Sequence, residues 1–183
     1  MNMNIFPMLD SITDRRSGIT ESVEHLVSIG DWSFLQLGNY TLVSPLLINA
    51  GVTSKITFQP QDIIYTAGSG LVVNYNYALQ KFTPTTINDV FLAEIRFKAK
   101  SSLQNSHGDI LIESPSVAFN PINAVSIAIP KAANQEQFVS ASVPIFIGQD
   151  VFTNGLEVKF NAVAGNWSLY DVSFMIIRLA SGK

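Results

Sequence analysis

The fold class is decided by the run Trp167-Ser-Leu-Tyr-Asp-Val-Ser-Phe-Met-Ile-Ile-Arg-Leu-Ala180, which lies near the end of the sequence. The run is rich in the β-branched and aromatic residues that favour strands. A long apolar strand has to pair inside a sheet, because its main-chain N–H and C=O groups need hydrogen-bond partners. The run therefore predicts an all-β fold, an antiparallel β-sandwich closed by its own C-terminus.

Earlier segments repeat the strand pattern. From Asp89 to Lys100, apolar and charged residues alternate, which predicts one buried face and one solvated face. The segments Gln137 to Ile147 and Leu156 to Val163 are also predicted strands, so Glu136 to Ala180 reads as three consecutive strands. The inward set of the first segment is predicted to be Phe91, Ala93, Ile95, Phe97 and Ala99.

Turn residues divide the rest of the chain. They predict about nine to eleven short strands and no helix of useful length after residue 18. Asn154-Gly155 predicts a type I′ turn, and Pro45 makes Tyr40 to Ile48 an edge strand or a bent strand. Residues 1–18 are predicted to form a short N-terminal arm, and residues 19–183 one sandwich domain.

Composition limits the classes of partner. Only 14% of the residues are charged, against about 25% in an average soluble protein. This favours a surface partly covered by copies of the chain or by partners, or else a β-protein whose exposed faces use Ser, Thr and Asn. The net charge is −3 and no basic run is longer than Arg15-Arg16, so nucleic acid is not an expected partner.

Cysteine is absent, which excludes a disulfide scaffold, a CxxC metal site and a thiol nucleophile. The first residues, Met1 to Met8, lack the basic and apolar regions of a signal peptide. No apolar run approaches the roughly 18 residues of a membrane span. We therefore expect a protein made in a cytoplasm, without membrane insertion.

The block from Phe91 to Ala180 resembles the second half of jelly-roll modules of the carbohydrate-binding type. The resemblance is carried by four segments: Ala93 to Lys100, Gln137 to Val143, Leu156 to Phe160, and Asn166 to Phe174. It implies a jelly-roll β-sandwich. The same fold is similar to that of bacteriophage head fibres, decoration proteins and receptor-binding tips.

The resemblance implies a non-enzymatic bacteriophage virion surface protein, made in the host cytoplasm. Such a protein would be a capsid decoration, a head fibre or a receptor-binding part of the tail. It is expected to form a homo-oligomer, with a trimer favoured, and to contact other virion proteins through residues 1–18. The alternative implied function is a carbohydrate-binding module that recognises surface glycans, and a host glycan could be a partner in either case.

Aromatic residues are the candidates for glycan binding. Tyr75 and Tyr77 are two apart on one predicted strand, so they share a face on which a sugar could stack. The alternative is an aromatic pair that stabilises the sheet. Trp32 and Trp167 each follow a turn pair, so each could close an end of the core or lie on a rim.

Asp171 interrupts the final apolar strand. In the carbohydrate-binding modules that the chain resembles, an acidic residue near this point helps to hold a structural calcium ion. Calcium needs about six to eight oxygen ligands, and no Asp-rich loop supplies the others. Asp171 could instead lie on the solvated face or close a turn. No other cofactor is expected.

Catalytic patterns are weak. The histidines are His25 and His107; neither belongs to a recognisable triad, because triads are assembled in space rather than from adjacent residues. Glu94, Glu113 and Glu157 lie on predicted strands, where paired carboxylates could hydrolyse a glycosidic bond. The spacing singles out no pair, so solvated strand faces are the favoured interpretation.

Overall fold

The computed structural model describes residues 32–59, 63–67, 73–115, 121–129 and 132–182. The predicted arm, residues 1–18, and His25 lie outside these residues. The described part holds twelve strands, more than the nine to eleven predicted, and a short helix; the predicted all-β class is confirmed. The elements are β1 (Trp32–Gln36), β2 (Leu46–Ile48), β3 (Thr53–Lys55), β4 (Ile63–Ala67), β5 (Val73–Asn76), β6 (Lys81–Pro84), β7 (Val90–Ser101), β8 (Ser106–Glu113), β9 (Asn123–Ile129), β10 (Gln137–Phe146), α1 (Gln149–Asn154), β11 (Glu157–Asn161) and β12 (Trp167–Ala180).

The strands form two main antiparallel sheets and a small hairpin. The first sheet has the order β10-β7-β12-β1-β4, and β2 also pairs with β12. The second sheet has the order β3-β11-β8-β9, and β5 pairs with β6. The predicted final strand, β12, lies between β7 and β1, so the C-terminal strand is central to its sheet.

The order of the strands is that of a jelly roll. Without β2, β4, β5 and β6, eight strands remain. They pair from the outside of the sequence inward: β1 with β12, β3 with β11, β7 with β10, and β8 with β9. This nesting is a long hairpin rolled into two sheets, which is the jelly-roll arrangement. The strand pairing thus agrees with the jelly roll that the sequence resemblance implied.

The core lies between the two sheets. The predicted inward residues of β7 are all buried, and they face buried residues of the second sheet such as Ile110, Ile112, Val158 and Phe160. Phe97 meets Phe160 edge-on, with ring centroids 5.9 Å apart. Each fully buried Phe, Ile or Val side chain of this core stabilises the fold by about 1.5–3 kcal/mol. Strict alternation in β7 therefore predicted its buried face correctly.

A β-bulge explains the acidic residue in β12. Tyr170 is opposite Lys98 and Ser173 is opposite Arg96, so Asp171 and the residue after it share one position on β7. Asp171 has φ +51°, a left-handed conformation that aspartate tolerates better than most residues. Before the bulge, odd-numbered residues of β12 are buried, and after it even-numbered residues are buried. The extra residue therefore lets both halves of β12 direct apolar side chains into the core.

Two local predictions from the sequence were wrong. Asn154-Gly155 is not a type I′ turn, because Asn154 ends α1 and Gly155 caps it with φ +75°. The strands on either side, β10 and β11, belong to different sheets, so a two-residue hairpin could not connect them. In the segment from Tyr40, only Leu46–Ile48 forms a strand, and the residues before Pro45 form a loop.

A buried ion pair anchors the end of β12. The Arg178 Nε and Asp89 Oδ2 atoms are 3.2 Å apart, and the Asp89 side chain is fully buried. Asp89 Oδ1 also accepts the Gly182 N–H at 2.8 Å. The Arg178 guanidinium lies 5.9 Å from the Phe91 ring centroid, a cation–π distance. These contacts fix the C-terminal end of the sandwich.

Candidate interaction surface

The predicted pair Tyr75 and Tyr77 belongs to an aromatic cluster. Both are partly buried, with ring centroids 5.2 Å apart. The Tyr75 ring also lies 4.4 Å from Phe58 and 4.8 Å from Phe82. Its hydroxyl donates to Gln80 Oε1 at 2.7 Å. These contacts match the alternative interpretation, in which the two tyrosines stabilise the sheet. Glycan binding by the pair remains a prediction.

The two tryptophans lie on opposite faces of the first sheet. Trp167 faces the core and is 1% exposed; it packs on Phe160 at 4.9 Å and donates its indole N–H to Ala164 O. It therefore has no open ring face for a ligand. Trp32 lies on the outer face, opposite Ile177, and is partly exposed. The fold does not bring the four predicted aromatic residues into one site.

Asp171 points to solvent and pairs with Lys98, whose Nζ is 3.0 Å from Asp171 Oδ2. The hydrogen bond to Asp171 raises the pKa of Lys98. Beside it, the Tyr170 hydroxyl donates to Glu136, and burial together with this carboxylate raises the pKa of Tyr170. Among the described residues, no three His, Cys, Asp or Glu side chains come together as metal ligands. The calcium site remains a prediction.

The three candidate glutamates are spread over both sheets. Glu113 and Glu157 are opposite each other on β8 and β11. Lys55 Nζ lies 2.8 Å from Glu157 Oε1, and Lys159 contacts both carboxylates. The hydrogen bond to Glu113 raises the pKa of Lys159. These carboxylates are thus part of a charge network on the outer face of the second sheet.

Glu94 lies on the first sheet, where both of its carboxylate oxygens accept hydrogen bonds from Arg96 at 2.8 Å. The Arg96 hydrogen bond lowers the pKa of Glu94, which is the opposite of what a general acid requires. The exposed His107 lies on β8, in the other sheet. The candidate acid–base residues are therefore not assembled around one point.

The outer face of the second sheet also carries a polar ladder across all four strands. Thr53 donates to Asn161 Oδ1 at 3.2 Å, and Asn161 Nδ2 donates to Asp109 at 3.4 Å. Ser126 donates to the other Asp109 oxygen at 2.6 Å. Together with the charge network, in which the Glu157 side chain is buried, this ladder makes the face polar.

The outer face of the first sheet is mixed: it carries the ion pairs of Arg96 with Glu94 and of Lys98 with Asp171, and beside them apolar side chains in register. Trp32, Ile177, Leu92 and Pro144 come from four neighbouring strands and occupy one row. Phe34 and Met175 form the start of the next row. Pro144 is exposed, and the other five are half-buried. We call this set the outer apolar row. The sequence analysis did not predict the outer apolar row, although the unbroken apolar run from Phe174 to Ile177 indicates a strand that is apolar on both faces.

β10 forms the edge of the same sheet and exposes two aromatic rings. Phe138 is 62% exposed and Phe146 is 57% exposed. A groove of about 320 Å³ lies beside Phe146, and Gln149 and Asp150 are among the residues that line it. Its other lining residues are Pro121, Ile122, Gly148 and Val151. The sequence prediction treated β10 only as a strand and did not identify this exposure.

No model of a known protein family matches the sequence, and no curated protein matches it. Solved structures do show a likeness in fold. The Eiger TNF from S. frugiperda has 11% identity and a TM-score of 0.49, with 83% of this chain and 94% of that chain covered. The PRD1 vertex protein P5 has 12% identity and a TM-score of 0.49, with 82% and 73% covered.

A third similar structure is the C-terminal CBM6 of LamC from Zobellia galactanivorans. It has 11% identity and a TM-score of 0.34, with 79% of this chain and 98% of that chain covered. These likenesses concern the jelly-roll fold, which the strand pairing of the chain itself establishes. In the described part of the chain, no helix has the length and apolar character that crossing a membrane requires.

Proposed function

We propose that this chain is a non-enzymatic structural protein of a bacteriophage virion surface, acting as a homo-oligomer. It would serve as a capsid decoration, a head fibre or a receptor-binding part of the tail. The outer apolar row is the observation that supports self-assembly most. Burying the exposed parts of these apolar side chains against another protein surface would remove apolar area from solvent.

The contrast between the two sheets strengthens this proposal. The outer face of the second sheet is polar, with its ladder and its charge network. The first sheet offers Trp32, Leu92 and Ile177 on its outer face. Aromatic and apolar side chains at the centre of a patch are typical of protein–protein interfaces. A chain with only 14% charged residues also suits a surface covered by its own copies.

The virion setting and the three-fold state rest on the sequence resemblance to phage surface proteins and are part of the proposal. The C-terminal end of β12 is held by Asp89. Attachment to other virion proteins is therefore assigned to residues 1–18, which lie outside the described residues. The same surface protein could read a host glycan.

Leu92→Lys should lower the molar mass of the assembly, because it places a charge in the middle of the outer apolar row. The measurement is size-exclusion chromatography with light scattering on the full chain. Ala124→Lys is the matched control, since Ala124 is exposed on the outer face of the polar sheet. Folding is checked by circular dichroism. A folded Leu92→Lys protein with the wild-type mass would argue against this interface, and a monomeric wild type against self-assembly itself.

Glycan binding is the second candidate function, and the groove beside Phe146 favours it. An exposed ring next to Gln149 and Asp150 combines an apolar platform with hydrogen-bonding groups, as sugar recognition requires. We expect Phe146→Ala to abolish any binding on a glycan array, with Tyr75→Ala and Tyr77→Ala testing the other predicted site. Binding that all three variants retain would remove both sites from consideration.

A further inference from the structure

The direction of the main-chain groups in β10 can be read from its hydrogen bonds. Ile147, which continues the strand, donates its N–H to Asp89 O at 2.9 Å. Odd-numbered residues therefore face β7, and even-numbered residues present their N–H and C=O groups at the other edge. Pro144 agrees, because it has no N–H and its C=O accepts the Asn123 Nδ2 at 3.2 Å.

This edge of β10 is long and poorly protected. The strand has ten residues and contains no Lys, Arg, Asp or Glu. In the described part of the chain, no strand pairs with this edge. Natural proteins usually protect such an edge with charges, proline or short length, because an open edge pairs with other strands. Here β9 lies beside β10, and Asn123 binds the Pro144 C=O near the C-terminal end, while Phe138 to Ser142 have no strand partner on this side among the described residues.

A second copy of the same strand fits this open stretch in one register. With a two-fold axis at Ser140, the two Ser140 residues pair with each other and Phe138 lies opposite Ser142 of the second copy. This pairing supplies roughly six main-chain hydrogen bonds, and each exposed Phe138 ring covers a small Ser142. An axis at Ser142 would instead place Pro144 opposite Ser140, and the Ser140 C=O would lack a donor.

We infer that two copies of this chain join antiparallel along the Phe138–Ser142 edge of β10, so that their first sheets become one continuous sheet. The inference rests on the proposed self-assembly and names one of its contacts. Such a two-fold contact is isologous, since each copy uses the same surface. If the outer apolar row builds a trimer, the edge contact joins two trimers.

Ser142→Pro and Ser140→Lys test the inference by light scattering on the full chain. The first removes an N–H from the open edge without touching the ladder to β7, and the second sets two like charges opposite each other at the axis. Ser142→Ala keeps the N–H and is the control. We expect both test variants to halve the wild-type mass, while the control leaves it unchanged.

The outcomes separate the two proposals. An oligomeric wild type whose mass survives both test variants, with folding confirmed by circular dichroism, overturns the edge contact and leaves self-assembly standing. A wild-type mass that is an odd multiple of the 20.0 kDa chain does the same. A monomeric wild type overturns both proposals, and the open edge would then be left for a strand of another protein.

Discussion

Arg178→Met should lower the free energy of unfolding by about 3–5 kcal/mol, the usual cost of breaking a buried ion pair by removing one partner. Asp89 is fully buried, and Arg178 Nε lies 3.2 Å from its carboxylate. Without the guanidinium, the carboxylate would keep the Gly182 N–H but lose its countercharge. Chemical denaturation at a fixed chain concentration measures the change.

The control is Arg96→Met, which makes the same substitution in an exposed ion pair. Arg96 bonds Glu94 with good geometry, but its side chain is 44% exposed. Exposed pairs contribute only about 0–1 kcal/mol, so this variant should remain close to the wild type. If both variants lost the same small amount, the pair at the end of β12 would not be the anchor described above.

Trp167→Ala should lower the free energy of unfolding by about 3–5 kcal/mol, as large-to-small changes of buried aromatic residues do. Trp167 lies between the sheets at the start of β12, in contact with Phe160. Its removal leaves a cavity between strands that come from distant parts of the chain. The same denaturation experiment measures the loss.

Trp32→Ala is the matched change at the other tryptophan and should give a different result. Trp32 lies on the outer apolar row and is partly exposed. Its loss should cost the single chain less stability than the loss of Trp167 and should weaken self-assembly. Equal losses of stability for the two variants, or a Trp32→Ala protein that assembles as the wild type does, would contradict this assignment.

The fold was predictable where local pattern and burial agree. The alternation in β7 identified its buried residues, and the apolar run of β12 identified a paired C-terminal strand. Prediction failed where the answer depends on which strands are neighbours. Asn154-Gly155 has the composition of a hairpin turn, yet its flanking strands lie in different sheets, so a short helix makes the connection.

The candidate interaction surface could not be found from the sequence, for the same reason. Trp32, Leu92, Pro144 and Ile177 are far apart in the chain, and only the strand register brings them into one row. The two tryptophans follow similar turn pairs, and their different faces follow from the sheet and not from their neighbours. Asp171 marked a departure from the strand pattern, but the shift of register that it causes appears only against β7.

The molar mass of the full wild-type chain in solution tests self-assembly most directly. Light scattering at micromolar concentration should give a multiple of the 20.0 kDa chain mass, with an even multiple if the β10 edge contact forms. A folded protein that remains a monomer at that concentration would contradict the proposal that the outer apolar row and the open edge are assembly surfaces.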